Sequence, residues 1–286
     1  MKVAAVNFKA SFADVASNLE FVSEYVKQAA SKKSELILFP EFFTSSMGFL
    51  PVMLNVPIMG IQVEKFLTEL SKQYNIIIGG SYLVFEGTDS YNLFQLVFPD
   101  GKLFSHKKDI PTITENCYSI NGDCNHIIET PIGTVSIALC WEMVRYDTIK
   151  RLAGQVDLVL AGTCWADLPE GAPLKQYNRD FAYRTPLTFS KLLGIPIIHS
   201  NHCGTVTSYD FPDDKVCHDL QMIGATQIID AKGNIITERK FNEGAGIIYA
   251  DIAIGKSERN DVIIPPDKYW IEDLPEPYLY AWNCHL

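Results

Sequence analysis

The sequence lacks long apolar runs and has little positive charge. No stretch approaches the roughly 18 apolar residues that span a bilayer, and the chain enters the segment VAAVNF without the apolar core of a signal peptide. The 34 aspartates and glutamates outnumber the 24 lysines and arginines, and no basic run occurs. A surface with this charge repels nucleic acids and anionic membranes. We therefore expect a cytoplasmic protein with a small ligand and with no nucleic-acid or membrane partner.

The seven cysteines also lack the spacing of a disulfide framework or of a structural zinc site. An odd number of scattered cysteines is typical of free thiols in a reducing compartment. One candidate metal set exists, Cys117, Cys124 and His126, but it has no C-x2-C pair of the kind that structural zinc sites contain. We expect no metal, and we expect most of the thiols to be small buried apolar groups.

Segments typical of strands and helices alternate along the 286 residues, and no linker, repeat or shift in composition divides them. A hydrophobic content of 47% is enough for the core of one large domain. Val15, Leu19, Val22, Val26 and Ala29 have the spacing of one apolar helical face. Further helices are predicted over IQVEKFLTELSKQY, over RYDTIKRLAG and in a long region that ends near residue 193.

Short apolar runs bounded by turn residues predict the strands. They are KVAAVNF, ELILF, NIIIGG, YLVF, YNLFQLVF, KLFSHKK, TVSIAL, DLVLAG, PIIHSN, ATQIID, NIITERK and GIIYADI. The segments Pro99-Asp100-Gly101 and Ala231-Lys232-Gly233 predict hairpin turns. The alternation predicts one α/β domain in which helices cover buried sheets.

Three segments place polar, titratable residues directly after predicted buried strands. Glu41 follows the run LILFP, and Cys140 follows TVSIAL. Lys107 and Lys108 end KLFSHKK, and Glu115 lies seven residues after the second lysine. The carboxyl ends of strands are where open α/β sheets build their sites. Taken singly, a loop carboxylate, a solvated lysine or an inert thiol is the commoner explanation, but together they predict a catalytic site.

The three residue types complement one another chemically. A thiol with its ordinary pKa of about 8.5 is only slightly ionised at pH 7 and needs a base to become a nucleophile. Glu41 lies beside Phe42 and Phe43, and an apolar setting raises the proton affinity of a carboxylate and suits it to this role. A lysine ammonium near the thiol favours the thiolate and stabilises the oxyanion formed when the thiol attacks a carbonyl or nitrile carbon.

The segments FPEFF, KKDIPTITE and ALCWE, in this order and at these distances, resemble the nitrilase superfamily of carbon-nitrogen hydrolases. The strand and helix pattern is compatible with that family over residues 1–253. The resemblance implies an α/β fold, a four-layer α-β-β-α sandwich of the nitrilase type, with no cofactor and with assembly as a homodimer or higher homo-oligomer. Residues 254–286 include a tail rich in proline and aromatic residues, and we predict that they form a C-terminal arm at a subunit interface.

Carried over to this sequence, the resemblance makes Glu41 the general base and Cys140 the nucleophile. Two neighbouring lysines compete for the third position. Lys108 lies three residues before a Pro-Thr pair and seven before Glu115, as in the nitrilase branch of the family, and is therefore preferred to Lys107. Glu115 then matches the accessory glutamate, which orients the lysine or shuttles protons.

Four further residues are expected to bind the oxyanion or the substrate. The backbone N–H of Trp141 follows the nucleophile and is expected to bind the oxyanion together with the lysine. Glu142 either binds an amine or orders the nucleophile loop. Trp165 either lines the pocket or belongs to the core, and Asn201 lies at a family position near the site. Cys164 is expected to be structural.

The same residues serve several reactions. The motifs CWE and PT-x-x-E favour a nitrilase, whereas the short chain and the segment LGIPIIHSNHCG favour an amidase or carbamoylase. We expect a hydrolase that cleaves the C–N bond of a small amide or carbamoyl (ureido) compound through a cysteine thioester and releases ammonia or an amine. Conversion of a small nitrile to the acid and ammonia is the alternative. A catalytically inactive binding or scaffold protein is disfavoured because all three catalytic positions are filled.

Overall fold

Strands provide most of the framework in the computed structural model, which describes residues 1–48, 50–209, 217–257 and 274–276. The strands are β1 Lys2–Phe8, β2 Leu36–Leu38, β3 Ile77–Glu86, β4 Asp89–Val97, β5 Leu103–Lys107, β6 Ile127–Thr130, β7 Gly133–Leu139, β8 Leu158–Thr163, β9 Ile197–Tyr209, β10 Cys217–Ile223, β11 Thr226–Ile229, β12 Ile235–Arg239 and β13 Gly246–Asp251. The helices are α1 Val15–Ser31, α2 Val56–Met59, α3 Val63–Tyr74, α4 Tyr146–Leu152 and α5 Lys175–Leu193. Short 3₁₀ turns cover Pro51–Leu54, Ile113–Cys117, Cys140–Val144 and Phe241–Glu243.

The strands form two sheets that meet at one corner. The first has the order β13-β1-β2-β3-β4-β5, and the second has the order β12-β11-β9-β8-β7-β6. They are joined where β1 and β9 pair over only two positions, Asn7 with Asn201 and Phe8 with His202. Within each sheet the central strands are parallel, β1-β2-β3 in the first and β9-β8-β7 in the second. Both sheets therefore direct carboxyl strand ends toward the shared corner.

Successive side chains of each strand point to opposite faces of the sheet. Both faces of each sheet are covered by other layers. Val3 and Ala5 of β1 pack in one apolar cluster with Ile137 of β7 and Leu160 of β8, which fills the space between the sheets. The opposite face of β1 packs against α1 and α3, and the opposite faces of β7 and β8 pack against α4 and α5. The layers are therefore helix, sheet, sheet and helix, which confirms the predicted α/β sandwich.

The apolar face predicted for the first helix is confirmed in α1. Val15, Val22, Val26 and Ala29 are buried, while Leu19 is only partly buried. At the start of the helix, the Asp14 carboxylate accepts a hydrogen bond from the backbone N–H of Ser17 at 3.1 Å. This contact satisfies one of the free N–H groups of the first turn.

The structure also confirms the two predicted hairpins, β4 with β5 and β11 with β12. It differs from the sequence analysis at several places, which include the unpredicted short helix α2. NIIIGG and YLVF belong to one strand, β3, the strand predicted at PIIHSN continues to Tyr209, and β6 and β10 were not predicted. Strand β10 is polar at its start and is held by pairing with β9, a tertiary contact that local pattern does not reveal.

Close packing explains why β3 contains two adjacent glycines and yet continues through them as one strand. A side chain at Gly80 would place its Cβ 2.8 Å from a ring carbon of Phe43 and 3.0 Å from Cβ of Phe39. Glycine is therefore required here by the close approach of the segment that follows β2, and it does not mark a turn.

The C-terminal arm predicted over residues 254–286 lies mostly outside the described residues and stays a prediction, as does the homo-oligomer. Its first residues continue along the sandwich, where the backbone N–H of Gly255 donates to the carbonyl of Asp157 at 3.0 Å. In the described ranges, no helix combines the length and the apolar character that a membrane span requires.

Candidate active site

A buried ammonium between two carboxylates forms the centre of the site. Lys108 directly follows β5, and its Nζ lies 2.8 Å from Oε1 of Glu41 and 2.6 Å from Oε2 of Glu115. Each of the three side chains is at most 2% exposed. Because hydrogen bonds between ionised groups are short and strong in such a setting, the contacts fix the positions of all three groups.

Glu41 follows β2 and receives three hydrogen bonds. Besides Lys108, the side-chain amide of Asn92 donates to Oε1 at 3.0 Å, and the backbone N–H of Cys164 donates to Oε2 at 3.1 Å. Burial raises the pKa of Glu41 to about 7, an effect that Lys108 opposes and the charge of Glu115 reinforces. A carboxyl group with this pKa exchanges a proton readily near neutral pH.

Asn92 of β4 joins the two carboxylates and was missed by the sequence analysis. Its amide nitrogen donates to Glu41 and, at 2.9 Å, to Oε1 of Glu115. Both amide hydrogens are therefore used, and the orientation of the amide follows from its two acceptors. The available signal was a polar residue, one of two with Gln95, inside the mainly apolar run YNLFQLVF.

The two candidate lysines lie in different environments. The Nζ of Lys107 is 2.5 Å from the carboxylate of Glu86 and 4.2 Å from the ring centre of Tyr91, and this side chain is 26% exposed. Lys108 instead lies beside Glu41, with both carboxylates as partners. The spacing argument that preferred Lys108 therefore agrees with the geometry.

Cys140 begins the 3₁₀ turn that follows β7, and it adopts a left-handed backbone conformation with φ of 50°. This conformation is uncommon for a residue with a side chain and costs about 1–3 kcal/mol. Burial and the charge of Glu41 raise the pKa of the thiol well above its usual range, although Lys108 acts in the opposite direction. Lys108 thus acts toward the thiolate, the direction expected from the sequence, but its effect is the smaller one. Burial and the carboxylates outweigh its charge, and the thiol stays protonated.

A close approach of β8 fixes the position of the base. A Cβ atom at Gly162 would lie 2.8 Å from the backbone nitrogen of Glu41 and 3.2 Å from the carbonyl carbon of Pro40. Only glycine permits this contact without a shift of the backbone. Two residues further along, Cys164 donates its N–H to the Glu41 carboxylate, which gives this predicted structural cysteine a positioning role through its backbone.

Glu142 connects the nucleophile turn with the lysine loop. Its carboxylate accepts hydrogen bonds from the backbone N–H groups of Leu139 and Asp109, each at 2.7 Å, and lies 2.9 Å from Nε2 of His106. Burial opposes ionisation, but His106 and His126 outweigh it and hold the pKa of Glu142 well below its usual range. The carboxylate is fully buried and bonded to protein, and its predicted contact with substrate stays a prediction. Its contacts fit the ordering of the nucleophile loop.

His106, His126 and Glu142 also place three possible metal ligands within 4.8 Å of one another. Hydrogen bonds to the protein already occupy these groups, because Nδ1 of His126 lies 3.2 Å from the carbonyl of Ile137 and Nε2 lies 3.1 Å from the guanidinium of Arg151. The group is best described as a buried ion cluster.

The metal set considered in the sequence is not assembled. Cys117 and Cys124 are exposed, whereas His126 lies inside the buried cluster.

Two of the predicted pocket residues hold the adjoining backbone. Oδ1 of Asn201 accepts from the N–H groups of Trp165 and His202, and its amide nitrogen donates to the carbonyl of Gly224. Asn201 is fully buried with its polar atoms bonded to backbone, and its role in binding substrate stays a prediction. Trp165 belongs to the apolar cluster that contains Cys140 and Trp141, and its ring centre lies 5.4 Å from that of Trp141.

Residues 2–259 match the family model described as Carbon-nitrogen hydrolase. The chain belongs to the carbon-nitrogen hydrolase family. This confirms the resemblance to the nitrilase superfamily, and the conclusion that the protein is an enzyme follows from membership.

Two relatives illustrate the range of this hydrolase family. Nitrilase 2 of Arabidopsis thaliana is 28% identical over 286 residues, which cover 86% of this chain and 78% of that protein. Omega-amidase NIT2-B of Xenopus laevis is 28% identical over 248 residues, which cover 82% of each protein.

Solved structures show the same fold. A carbon-nitrogen hydrolase from Helicobacter pylori G27 matches with a TM-score of 0.77 at 16% identity, covering 88% of both chains. The amidase from Nesterenkonia sp. AN1 matches with a TM-score of 0.71 at 17% identity, covering 88% of this chain and 93% of that one.

We expect Gly162→Ala to lower the activity of this hydrolase about 100-fold while leaving it folded, since a displacement of the base by about 1 Å has an effect of this size. Gly60→Ala is the matched control, because a Cβ atom there meets its neighbours at ordinary distances of 3.4 Å or more. Steady-state kinetics and circular dichroism measure the two effects. Full activity in Gly162→Ala would show that the close approach does not position Glu41.

Glu142→Gln should lower the free energy of unfolding by about 3 kcal/mol, because it leaves buried histidines without their carboxylate and turns an amide N–H2 toward backbone donors. It should reduce kcat more than it raises KM. Urea unfolding and kinetics test both effects, with the exposed Glu129→Gln as the control. Unchanged stability together with a loss of affinity confined to amine-bearing substrates would support the amine-binding role instead.

Proposed function

We propose that the protein hydrolyses the C–N bond of a small amide or carbamoyl compound through a thioester on Cys140. The observation behind this proposal is the Glu41, Lys108 and Glu115 cluster, in which a carboxyl group with a pKa of about 7 lies beside a charged lysine. Omega-amidases among the relatives and an amidase among the structural neighbours support an amide as the substrate.

In the first step, the Cys140 sulfur attacks the carbonyl carbon while its proton moves to the carboxylate of Glu41. The carbonyl oxygen becomes an oxyanion, which the ammonium of Lys108 and the backbone N–H of Trp141 stabilise. The raised pKa of Glu41 favours this transfer, because it increases the affinity of the base for the proton, whereas the raised pKa of the thiol opposes it until the sulfur bonds to carbon.

In the second step, the C–N bond breaks and Glu41 returns its proton to the nitrogen, so that ammonia or an amine leaves. A water molecule then attacks the thioester while Glu41 accepts one of its protons. The C–S bond breaks, the acid is released, and the thiol regains its proton from Glu41. Each step moves one proton through the same carboxylate.

Glu115 keeps the lysine in its working state. Burial opposes the charge on Lys108, but Glu115 and Glu41 outweigh it and raise the pKa of the ammonium well above its usual range. Glu115 also accepts the backbone N–H of Thr112 at 2.9 Å, which fixes the lysine loop. The ammonium therefore stays charged when Glu41 becomes protonated.

A nitrile is the second candidate substrate, because Nitrilase 2 aligns with 86% of this chain. The same cysteine would add to the nitrile carbon, and hydrolysis of the resulting thioimidate would give the thioester and ammonia. A small-molecule substrate, a cytoplasmic location and a homo-oligomer complete the proposal.

We expect Cys140→Ala to reduce ammonia release from a panel of small amides, ureido compounds and nitriles by at least about 10⁴-fold. Several groups act on the same carbon atom, and removing one of them abolishes most of the rate enhancement that they produce together. Cys124→Ala, at an exposed thiol, is the control and should retain full activity. Intact-protein mass spectrometry with each substrate should show an acyl adduct that Cys140→Ala lacks. Ammonia release that survives Cys140→Ala would contradict the proposed nucleophile, and the products identify amide or nitrile chemistry.

The pH profile should report the base. Because Glu41 must be deprotonated to accept the thiol proton and its pKa is about 7, kcat/KM should fall as pH decreases through 7. The charge of Glu115 contributes to that raised pKa, so Glu115→Gln should shift the acidic limb of its residual activity to lower pH. An acidic limb near pH 4 in the unmodified enzyme would mean that the pKa of the base is not raised by burial.

A further inference from the structure

The hydroxyl of Tyr118 is buried and has no hydrogen-bond partner among the described residues. Tyr118 is 7% exposed, and its ring packs in the apolar cluster beneath the first sheet. Buried tyrosine hydroxyls normally find a partner, because an unmet polar group in the interior is unfavourable. A hydroxyl kept without one indicates either an ordered water or a ligand.

The position of Tyr118 links it to the catalytic loops. It follows the 3₁₀ turn of Glu115, and its backbone N–H donates to the Glu115 carbonyl at 3.0 Å. Its ring meets that of Phe42 in an edge-to-face contact at 6.4 Å, and Phe42 directly follows Glu41. The phenol therefore lies between the loop of the base and the loop of the accessory glutamate.

The electrostatic surroundings point to the same place. Glu115, Cys164, Lys108 and Glu41 all act on the phenol, and the same four groups act on the thiol of Cys140. Burial and the carboxylates raise the pKa of Tyr118 well above its usual range. The neutral hydroxyl therefore offers both a donor and an acceptor at working pH.

A primary amide bound at this site would need such a group. The amide oxygen accepts hydrogen bonds in the proposed mechanism, but the amide nitrogen carries two N–H donors that need acceptors. The carboxylate oxygens of Glu41 already accept bonds from Lys108, Asn92 and Cys164. A further acceptor near the base is provided by the hydroxyl of Tyr118.

We propose that the Tyr118 hydroxyl binds the nitrogen of the scissile amide and, after ammonia has left, the hydrolytic water. This role rests on the proposed function and extends it, because it makes Tyr118 a residue that selects a substrate bearing N–H groups.

The test is Tyr118→Phe, assayed with a primary amide and with the methyl ester of the same acid. Loss of the hydroxyl should reduce kcat/KM for the amide about 10- to 100-fold, the size of one hydrogen bond to a buried group. The kcat/KM of the ester, whose leaving group has no N–H, should change less than threefold, because kcat/KM reports acylation and not the later attack of water. Equal losses for both substrates, or no loss for the amide, would overturn the proposal.

A stability measurement separates binding from structure. Because the hydroxyl has no partner in the described part of the chain, Tyr118→Phe should keep or raise the melting temperature. Tyr82→Phe is the matched control, since the Tyr82 hydroxyl donates to Gln95 at 2.5 Å, and this variant should lower the melting temperature without changing kcat/KM. A comparable decrease in Tyr118→Phe would show that its hydroxyl is structural and would overturn the proposal.

Labelling of Cys140 tests the proposed role of Tyr118 without any turnover. If no substrate is hydrolysed, the proposed function is wrong, and the labelling rates still decide whether the Tyr118 hydroxyl binds an amide nitrogen. The thiol adds across the double bond of acrylamide or of methyl vinyl ketone, and its proton passes to the carbon next to the carbonyl. The two reagents differ only at the carbonyl substituent, which is an amide N–H2 in acrylamide and a methyl group in the ketone. Tyr118→Phe should slow labelling by acrylamide about 10-fold and labelling by the ketone little. In a protein without turnover, equal slowing or none would overturn the role of Tyr118.

Discussion

The contact on which the site depends is the ammonium of Lys108 held between the carboxylates of Glu41 and Glu115 inside the protein. A lone charge is unstable in the interior, so each of the three ions persists there only because of the others. Two carboxylates share one cation, and the group has a net negative charge when all are ionised. Uptake of one proton removes that excess, which favours a proton on Glu41 near neutral pH. One contact therefore holds both the proposed base and the proposed oxyanion donor.

The two-sheet architecture makes this contact possible. Glu41 and Lys108 follow strands of the first sheet, whereas Cys140 and Cys164 follow strands of the second. The groups meet at the corner where β1 and β9 pair, and the apolar layer between the sheets holds the two halves in register. The nucleophile and its base are thus brought together by the packing of one sheet on the other. Gly162 sets the distance between β8 and the backbone of Glu41, because the two contact each other at this residue.

The sequence could predict the residues that follow strands, since apolar runs with polar ends are visible locally. Glu41, Cys140 and the lysine pair were identified in this way, and the family resemblance then favoured Lys108 over Lys107. Asn92 was missed because it lies inside a strand, and its role depends on two carboxylates that are distant in sequence. Asn201 was assigned to the substrate from its position alone, whereas its bonds go to backbone groups that only the folded chain places beside it. Partners brought together by tertiary structure leave no local pattern.

The protonated resting thiol has a consequence for selectivity. Burial and the charges of Glu41 and Glu115 raise the pKa of Cys140, so in the proposed mechanism it becomes a strong nucleophile only when Glu41 removes its proton. That transfer is favourable when an electrophilic carbon is already placed at the sulfur and its oxygen lies near Lys108, because the new negative charge then forms next to the ammonium. Compounds that do not fill both positions meet an unreactive thiol. Reactivity is therefore coupled to binding, and the cost of burying a cysteine among carboxylates is offset by protection from adventitious alkylation and oxidation.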